Sequence, residues 1–237
     1  MLRYQKNPTR TNNTLKIFDH EFVKLDGSIV STDTTNGRRY VTPDGTFPSV
    51  TTITGWQKRA FFAAWRKKNS EESRRVLSRG TAMHSMIESY LLNTLTPQMI
   101  TEATGKSHTD LFLSMQEDID RIGKILAIEV PLWSKRIGLA GRTDCVGYYD
   151  GVLSVIDFKS ATKPKCEDGI LEYFTQATAY ALMWQDRTGQ KIPNIVIIIG
   201  AESGGCQVFQ TNPRDHIADL VESIAVWKAD QLPIVTK

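Results

Sequence analysis

Asp144, Asp157 and Lys159 are the residues whose types and spacing could do chemistry. They lie in residues 141–159, which read as a β-hairpin. Asp150-Gly151 has the composition of a two-residue type I′ turn, and Val, Leu, Ile and Tyr fill the two arms. With those two residues in the loop, Tyr149 faces Val152. The same register sets Asp144 opposite Asp157, with Cβ atoms about 4.5–5.5 Å apart. Period-two alternation puts Lys159 on the face of Asp157. Adjacent like charges destabilise a sheet, and a buried acid must be paired, protonated or bound to metal. Two readings follow. Either Lys159 neutralises one acid at a solvated sheet end, or a cation sits between Asp144 and Asp157 with Lys159 aimed at a substrate.

Other residues carry similar potential. His84 and Glu88 are four apart in a helical stretch and share a face, so they could hold a metal or simply form a surface pair. Glu129 sits in an apolar strand, where an unpaired acid is rare. Gln176 and Tyr180 repeat the helical spacing of four. Between Trp56 and Arg79 come Lys58, Arg59, Arg66, Lys67, Lys68, Arg74, Arg75 and Arg79 against only Glu71 and Glu72. This local excess of positive charge is larger than the +3 of the whole chain. Trp56, Phe61, Phe62 and Trp65 are interleaved with the bases. Cations bind phosphates and aromatic faces stack unpaired bases. The alternative is an amphipathic helix with its rings in the core, and for the aromatics that alternative is preferred.

The elements that must position these groups follow from patterning. Residues 1–13 read as a loose polar arm, and the stretch from 14 to 50 as short strands with turns at Leu25-Asp26-Gly27 and Thr42-Pro43-Asp44-Gly45. Nothing catalytic is expected there. Helices are expected over 49–54, 57–69, 70–79 (capped at Ser70) and 80–92. A loop over 93–109 leads to an amphipathic helix at 109–126, with Leu111, Phe112, Met115, Ile119, Ile122 and Leu126 as its stripe. Strand 127–133 enters the hairpin, and Lys163-Pro164-Lys165 follows it as a mobile basic loop. Residues 171–187 form a helix. Ile195–Ile199 is a strand buried on both faces, and 207–209 an edge strand. Residues 214–230 form a closing helix with Ile217, Leu220, Val221, Ile224 and Trp227 inward. The order implies an α/β fold, a mixed central sheet flanked by helices. Residues 1–48 make an arm and small β-region. Residues 49–237 make the main domain, helical over 49–126 and α/β over 127–237, and the whole is one compact unit.

Composition narrows the class. The 237 residues, 41% hydrophobic and 23% charged, are ordinary for a globular protein with a real core. Cys145, Cys166 and Cys206 are far apart and form no CxxC. They argue against a disulfide framework, a zinc ribbon or an iron–sulfur cluster. The first residues lack the apolar core of a signal peptide, and the longest apolar run is too short to span a bilayer. An intracellular, cytoplasmic protein with no membrane partner is expected.

Taken in order, His84, Glu129, Gly141-x-x-Asp144, Asp157-x-Lys159 and Gln176-x-x-x-Tyr180 resemble the PD-(D/E)XK nuclease superfamily, in its RecB-like exonuclease branch. Arg79-Gly80-Thr81-Ala82-Met83-His84 carries that branch's helical histidine. Pro48-Ser49-Val50-Thr51-Thr52-Ile53 is similar to the segment opening the helical region of the mitochondrial genome maintenance exonuclease and related phage exonucleases. Two departures are visible: Asp157 stands where many members have Glu, and the iron–sulfur cysteines of some relatives are missing.

The resemblance implies a restriction-endonuclease-like core and a Mg²⁺ or Mn²⁺ cofactor without an iron–sulfur cluster. It implies metal ligation by Asp144, Asp157, the Phe158 carbonyl and His84, with Glu129 as a further or second-metal acid. Lys159 would position water or steady the phosphate. Gln176 and Tyr180 would contact the DNA backbone or brace the lysine. Arg79, Arg142, Lys58, Arg59, Arg66, Lys67, Arg74, Arg75, Trp56, Lys163 and Lys165 are candidate nucleic-acid contacts. The expected activity is a metal-dependent DNA exonuclease acting on single-stranded ends, in replication, recombination or repair. The alternatives are a structure-selective endonuclease and a catalytically silent single-strand binding module.

Overall fold

The computed structural model describes residues 15–231, so the expected N-terminal arm lies outside the described residues. In chain order the strands and helices are β1 (Asp19–His20), β2 (Val30–Thr34), β3 (Gly37–Thr42), β4 (Gly45–Pro48), α1 (Val50–Thr54), α2 (Arg59–Lys68), α3 (Ser70–Leu91), α4 (Pro97–Glu102), α5 (Ser107–Ile119), β5 (Ile122–Ser134), β6 (Leu139–Tyr149), β7 (Val152–Ala161), α6 (Leu171–Thr188), β8 (Asn194–Ala201), β9 (Gly205–Thr211) and α7 (Ile217–Gln231). Six strands form one sheet in the order β1-β5-β6-β7-β8-β9, and β2-β3-β4 form a second. Pairing is parallel for β1–β5 and β7–β8 and antiparallel elsewhere. The fold is a mixed α/β architecture with helices on both faces of the central sheet.

The run Ile195 to Ile199 shows why the sheet is the middle layer. Ile195, Ile197 and Ile199 join the core under α1, α6 and α7, with Val155, Tyr180, Met183 and Trp184. Val196 and Ile198 face the other way, into the core under α3 and α5, with Met83, Ile87, Phe112 and Phe158. Alternation sends successive side chains to opposite faces, and each buried Ile or Val contributes roughly 1.5–3 kcal/mol. β9 lies at the sheet edge, as its position after this run suggests.

The hairpin turn has the anticipated geometry. Asp150 has φ 48° and Gly151 φ 81°, the left-handed pair that a type I′ turn demands. The pairs Tyr149↔Val152 through Cys145↔Ile156 keep the expected register.

Several boundaries differ from the sequence reading, and the loop expected over 93–109 carries α4 and the start of α5. The helix expected over 109–126 stops at Ile119, and Ile122 and Leu126 belong to β5. Register shifts between Ile122, Ile125 and Ala127 break the alternation at the start of this strand. Such irregularity disguises a strand as helical spacing. The helices expected over 70–79 and 80–92 are one continuous α3, preceded by Asn69 with no side-chain cap. Gly80 does not break it; a Cβ there would lie 3.4 Å from Ser160 Oγ, so the glycine sits close against β7. The last helix begins at Ile217 after a short 3-10 turn. Its Ile217 and Val221 are exposed, while Leu220, Ile224 and Trp227 pack on the core.

The small sheet is tied to the central one beside the hairpin. Ser49 bridges Ala140 of β6 in parallel, and the Ser49 N–H donates to the Arg38 carbonyl at 2.8 Å. Among the described residues, no helix is long and apolar enough to cross a membrane.

Candidate active site

Asp144 stands between two interrupted ladders. On one side the β6–β7 pairing ends at Cys145↔Ile156. Asp144 and Asp157 therefore form no ladder pair, contrary to the register extrapolated from the turn. The strands part there, and Asp144 Oδ2 accepts the Phe158 N–H at 2.9 Å. Opening relieves the direct opposition of two acids and gives one of them a backbone donor. On the other side, β5 pairs Ile128↔Cys145 and Val130↔Thr143, so Glu129 falls opposite Asp144. Glu129 has φ 48°, a left-handed conformation that costs a non-glycine residue about 1–2 kcal/mol. Backbone strain of this kind clusters where side chains are aimed for function.

Into this opening α3 sends His84, whose Nδ1 lies 3.6 Å from Asp144 Oδ2. One ligand atom each from His84, Glu129 and Asp144 lie within 4.8 Å of one another. Glu88, one turn along α3, is close enough for its charge to act on Glu129.

From the opposite face α6 supplies Gln176 and Tyr180. Asp157 is 1% exposed; its Oδ1 accepts from Gln176 Nε2 at 3.2 Å, and its Oδ2 lies 2.5 Å from Lys159 Nζ. Asp157 is thus absent from the His84–Glu129–Asp144 group and is engaged by the lysine instead. Tyr180 is buried against β6, where a Cβ on Gly141 would come within 2.9 Å of its ring. Glycine at 141 is what lets the ring approach the strand. Tyr173 completes the α6 stripe, with Lys159 Nζ 5.2 Å from its ring centroid. Tyr173 escaped the sequence reading, although it lies three residues before Gln176 on the same helical face.

Burial and mutual repulsion set the charges. Desolvation first, then Asp144 and Glu88, push Glu129 up to about 7, with Arg142 opposing. Burial pushes Asp157 up, and Lys159 counters it. Burial opposes the Lys159 ammonium, but Asp157 and Asp144 outweigh it and hold the lysine above its ordinary range. Burial also lifts the Tyr180 phenol, with Asp144 and Asp157 adding to the effect, so its O–H is kept.

The candidate nucleic-acid contacts divide sharply. Arg79 is buried and ion-paired with Glu202, so it serves the fold and is not offered to a ligand. Trp56 is buried too: its indole N–H donates to Asp230 at 2.9 Å, and it packs edge-on to Trp227. It cannot stack a base. Arg59 lies over the Trp56 ring and pairs with Asp230. Lys58 pairs with Glu172, and Arg75 with Glu72 and Glu202. Arg66, Lys67, Arg74, Arg142, Lys163 and Lys165 are exposed. The loop carrying Lys163 and Lys165 is braced, because Gln207 bonds both the N–H and the carbonyl of Lys165.

No protein-family model matches the chain, and a search of curated proteins returns no match. Among solved structures, a Eubacterium rectale protein provisionally designated an exonuclease is similar over 65% of this chain and 69% of its own, at 14% identity and a TM-score of 0.43. A likeness of that size carries no functional argument.

Proposed function

We propose that this protein is a metal-dependent deoxyribonuclease with a restriction-endonuclease-like core, an exonuclease acting on single-stranded DNA ends. The observation that carries the reading is the convergence of His84, Glu129 and Asp144 beside the buried Asp157–Lys159 ion pair. Three acids around one lysine leave excess negative charge in a half-buried place, which a divalent cation would offset. Two carboxylates and an imidazole suit Mg²⁺ or, with the nitrogen donor, Mn²⁺. The donor set therefore fits the cofactor. His84, Glu129 and Asp144 would hold the ion, with the Phe158 carbonyl and Asp157 as further oxygen donors. When bound, a divalent cation neutralises phosphate charge and lowers the pKa of water.

The chain's own residues do the rest. Asp157, fixed by Gln176, holds the Lys159 ammonium in place. Lys159, held beside Asp157, would position the attacking water or steady the phosphate. Tyr180 keeps its O–H, buried beside Gln176, and would brace the site from within. Asp144, locked by the Phe158 N–H, presents its carboxylate in a fixed orientation.

The test is a digestion series with Mg²⁺, Mn²⁺ or EDTA on 5′- and 3′-labelled single- and double-stranded DNA, with Asp144→Asn as control. Metal-dependent shortening of linear single strands, lost in Asp144→Asn, is expected. Cleavage of a covalently closed single-stranded circle would replace the exonuclease by an endonuclease. Binding without any metal-dependent product would leave only a binding module.

A further inference from the structure

Helix α2 has no buried residue. A surface helix ordinarily turns its apolar stripe inward, yet Phe61 is 67% and Phe62 41% exposed. The two rings stand edge-to-face, 5.5 Å apart, and hold each other at the surface. Leu77 of the neighbouring α3 is also exposed. The same helix carries Arg66, Lys67 and Lys68 in its last turn and no acid. Among the described residues, no carboxylate pairs with any of the three, whereas the bases nearer the fold, Lys58, Arg59, Arg75 and Arg79, are all paired.

We infer that α2 is a stacking platform for unpaired bases, with Phe61 and Phe62 against base faces and Arg66, Lys67 and Lys68 on the phosphates. Uncompensated cations beside exposed aromatic rings match a flexible polyanion with a flat apolar face at every unit. Continuity with the candidate site favours the same occupant. Lys58, the residue before α2, pairs with Glu172; the next residue, Tyr173, lies against Lys159. A single strand engaged at Lys159 would leave along α2. This inference rests on the nuclease reading for the strand's origin, and it moves the aromatic contact from buried Trp56 to Phe61 and Phe62.

The test is fluorescence anisotropy in EDTA, using a labelled oligothymidylate and an abasic strand of equal length. Base–aromatic stacking is worth about 1–3 kcal/mol per base, which is roughly 5- to 150-fold in affinity. The double variant Phe61→Ala/Phe62→Ala should lose about tenfold or more on the oligothymidylate and nothing on the abasic strand. Arg66→Ala/Lys67→Ala/Lys68→Ala should weaken both strands and flatten the salt dependence. All five side chains are exposed, so melting curves should match wild type. Oligothymidylate affinity unchanged in the phenylalanine variant overturns the platform. So does transfer of the defect to an acidic, leucine-rich peptide or to phosphatidylserine vesicles, which would assign the face to a protein or a lipid surface. Unchanged binding with intact metal-dependent digestion sinks the platform alone. Base-dependent binding lost in the variant, with no digestion under any metal, supports the platform and sinks the nuclease reading.

Discussion

Glu129→Gln should stabilise the metal-free protein, by an amount that grows from pH 5 to a plateau above pH 7. Burial and the charges of Asp144 and Glu88 hold the Glu129 carboxyl up to about 7, against an ordinary value near 4.5. A carboxyl whose folded pKa is raised binds its proton more tightly in the folded state. Stability is therefore highest below the unfolded pKa and declines as pH rises through the folded one. The decline reaches on the order of 3 kcal/mol above pH 7, at 1.36 kcal/mol per pKa unit. Glutamine cannot ionise, so it removes that penalty. Urea unfolding in EDTA should show Glu129→Gln more stable by roughly 3 kcal/mol at pH 8 and by about 1 kcal/mol or less at pH 5. Added Mn²⁺ should narrow the gap at pH 8, because the ion binds more tightly to, and so stabilises more, the protein that offers the carboxylate. Equal effects of the substitution at the two pH values would refute the electrostatic argument. So would equal stabilisation of both proteins by Mn²⁺.

Glu202→Gln should cost about 3–5 kcal/mol in urea unfolding, since it leaves the buried Arg79 guanidinium uncompensated. Arg75 and then Arg79 hold the Glu202 carboxyl down at about 2, so its contribution is complete above the unfolded pKa and fades as pH falls towards 2. Gly141→Ala would press a Cβ against the Tyr180 ring. It should cost about 1–3 kcal/mol in thermal unfolding and lower the digestion rate, whereas Gly138→Ala, with open space around it but a left-handed φ of 69°, should cost stability through backbone strain alone and leave the rate unchanged. Trp56→Phe loses the bond to Asp230 and should cost about 1 kcal/mol with no change in oligonucleotide affinity measured by anisotropy.

The parts of this molecule legible in its sequence are those governed by local rules. Asp150-Gly151 demanded a left-handed turn whatever lay around it, and the register followed for five pairs. The alternating cores on either side of Ile195–Ile199 followed from an uninterrupted apolar run. The spacing of Gln176 and Tyr180 survived because α6 is regular from end to end. What failed depended on partners distant in the chain. The parting of β6 and β7 at Asp144 goes with the bond from the Phe158 N–H to its carboxylate and with Glu129 opposite it on β5, which a hairpin considered alone lacks. The left-handed Glu129 has no signature in residue type. Ile122 and Leu126 imitated helical spacing because β5 starts irregularly. Trp56 and Phe61 are both aromatic and both flanked by bases, yet one is buried against α7 and the other faces solvent. Only the position of α7, some 170 residues later, decides between them.

The most direct test of the account is Mn²⁺ binding followed by electron paramagnetic resonance of the free ion, in wild type, Asp144→Asn and His84→Ala. The account predicts that wild type binds Mn²⁺ and that each substitution weakens binding about tenfold or more, while Lys67→Ala, on the exposed helix α2, binds as wild type does. Wild-type affinity in Asp144→Asn would contradict the central claim that His84, Glu129 and Asp144 assemble a divalent-cation site.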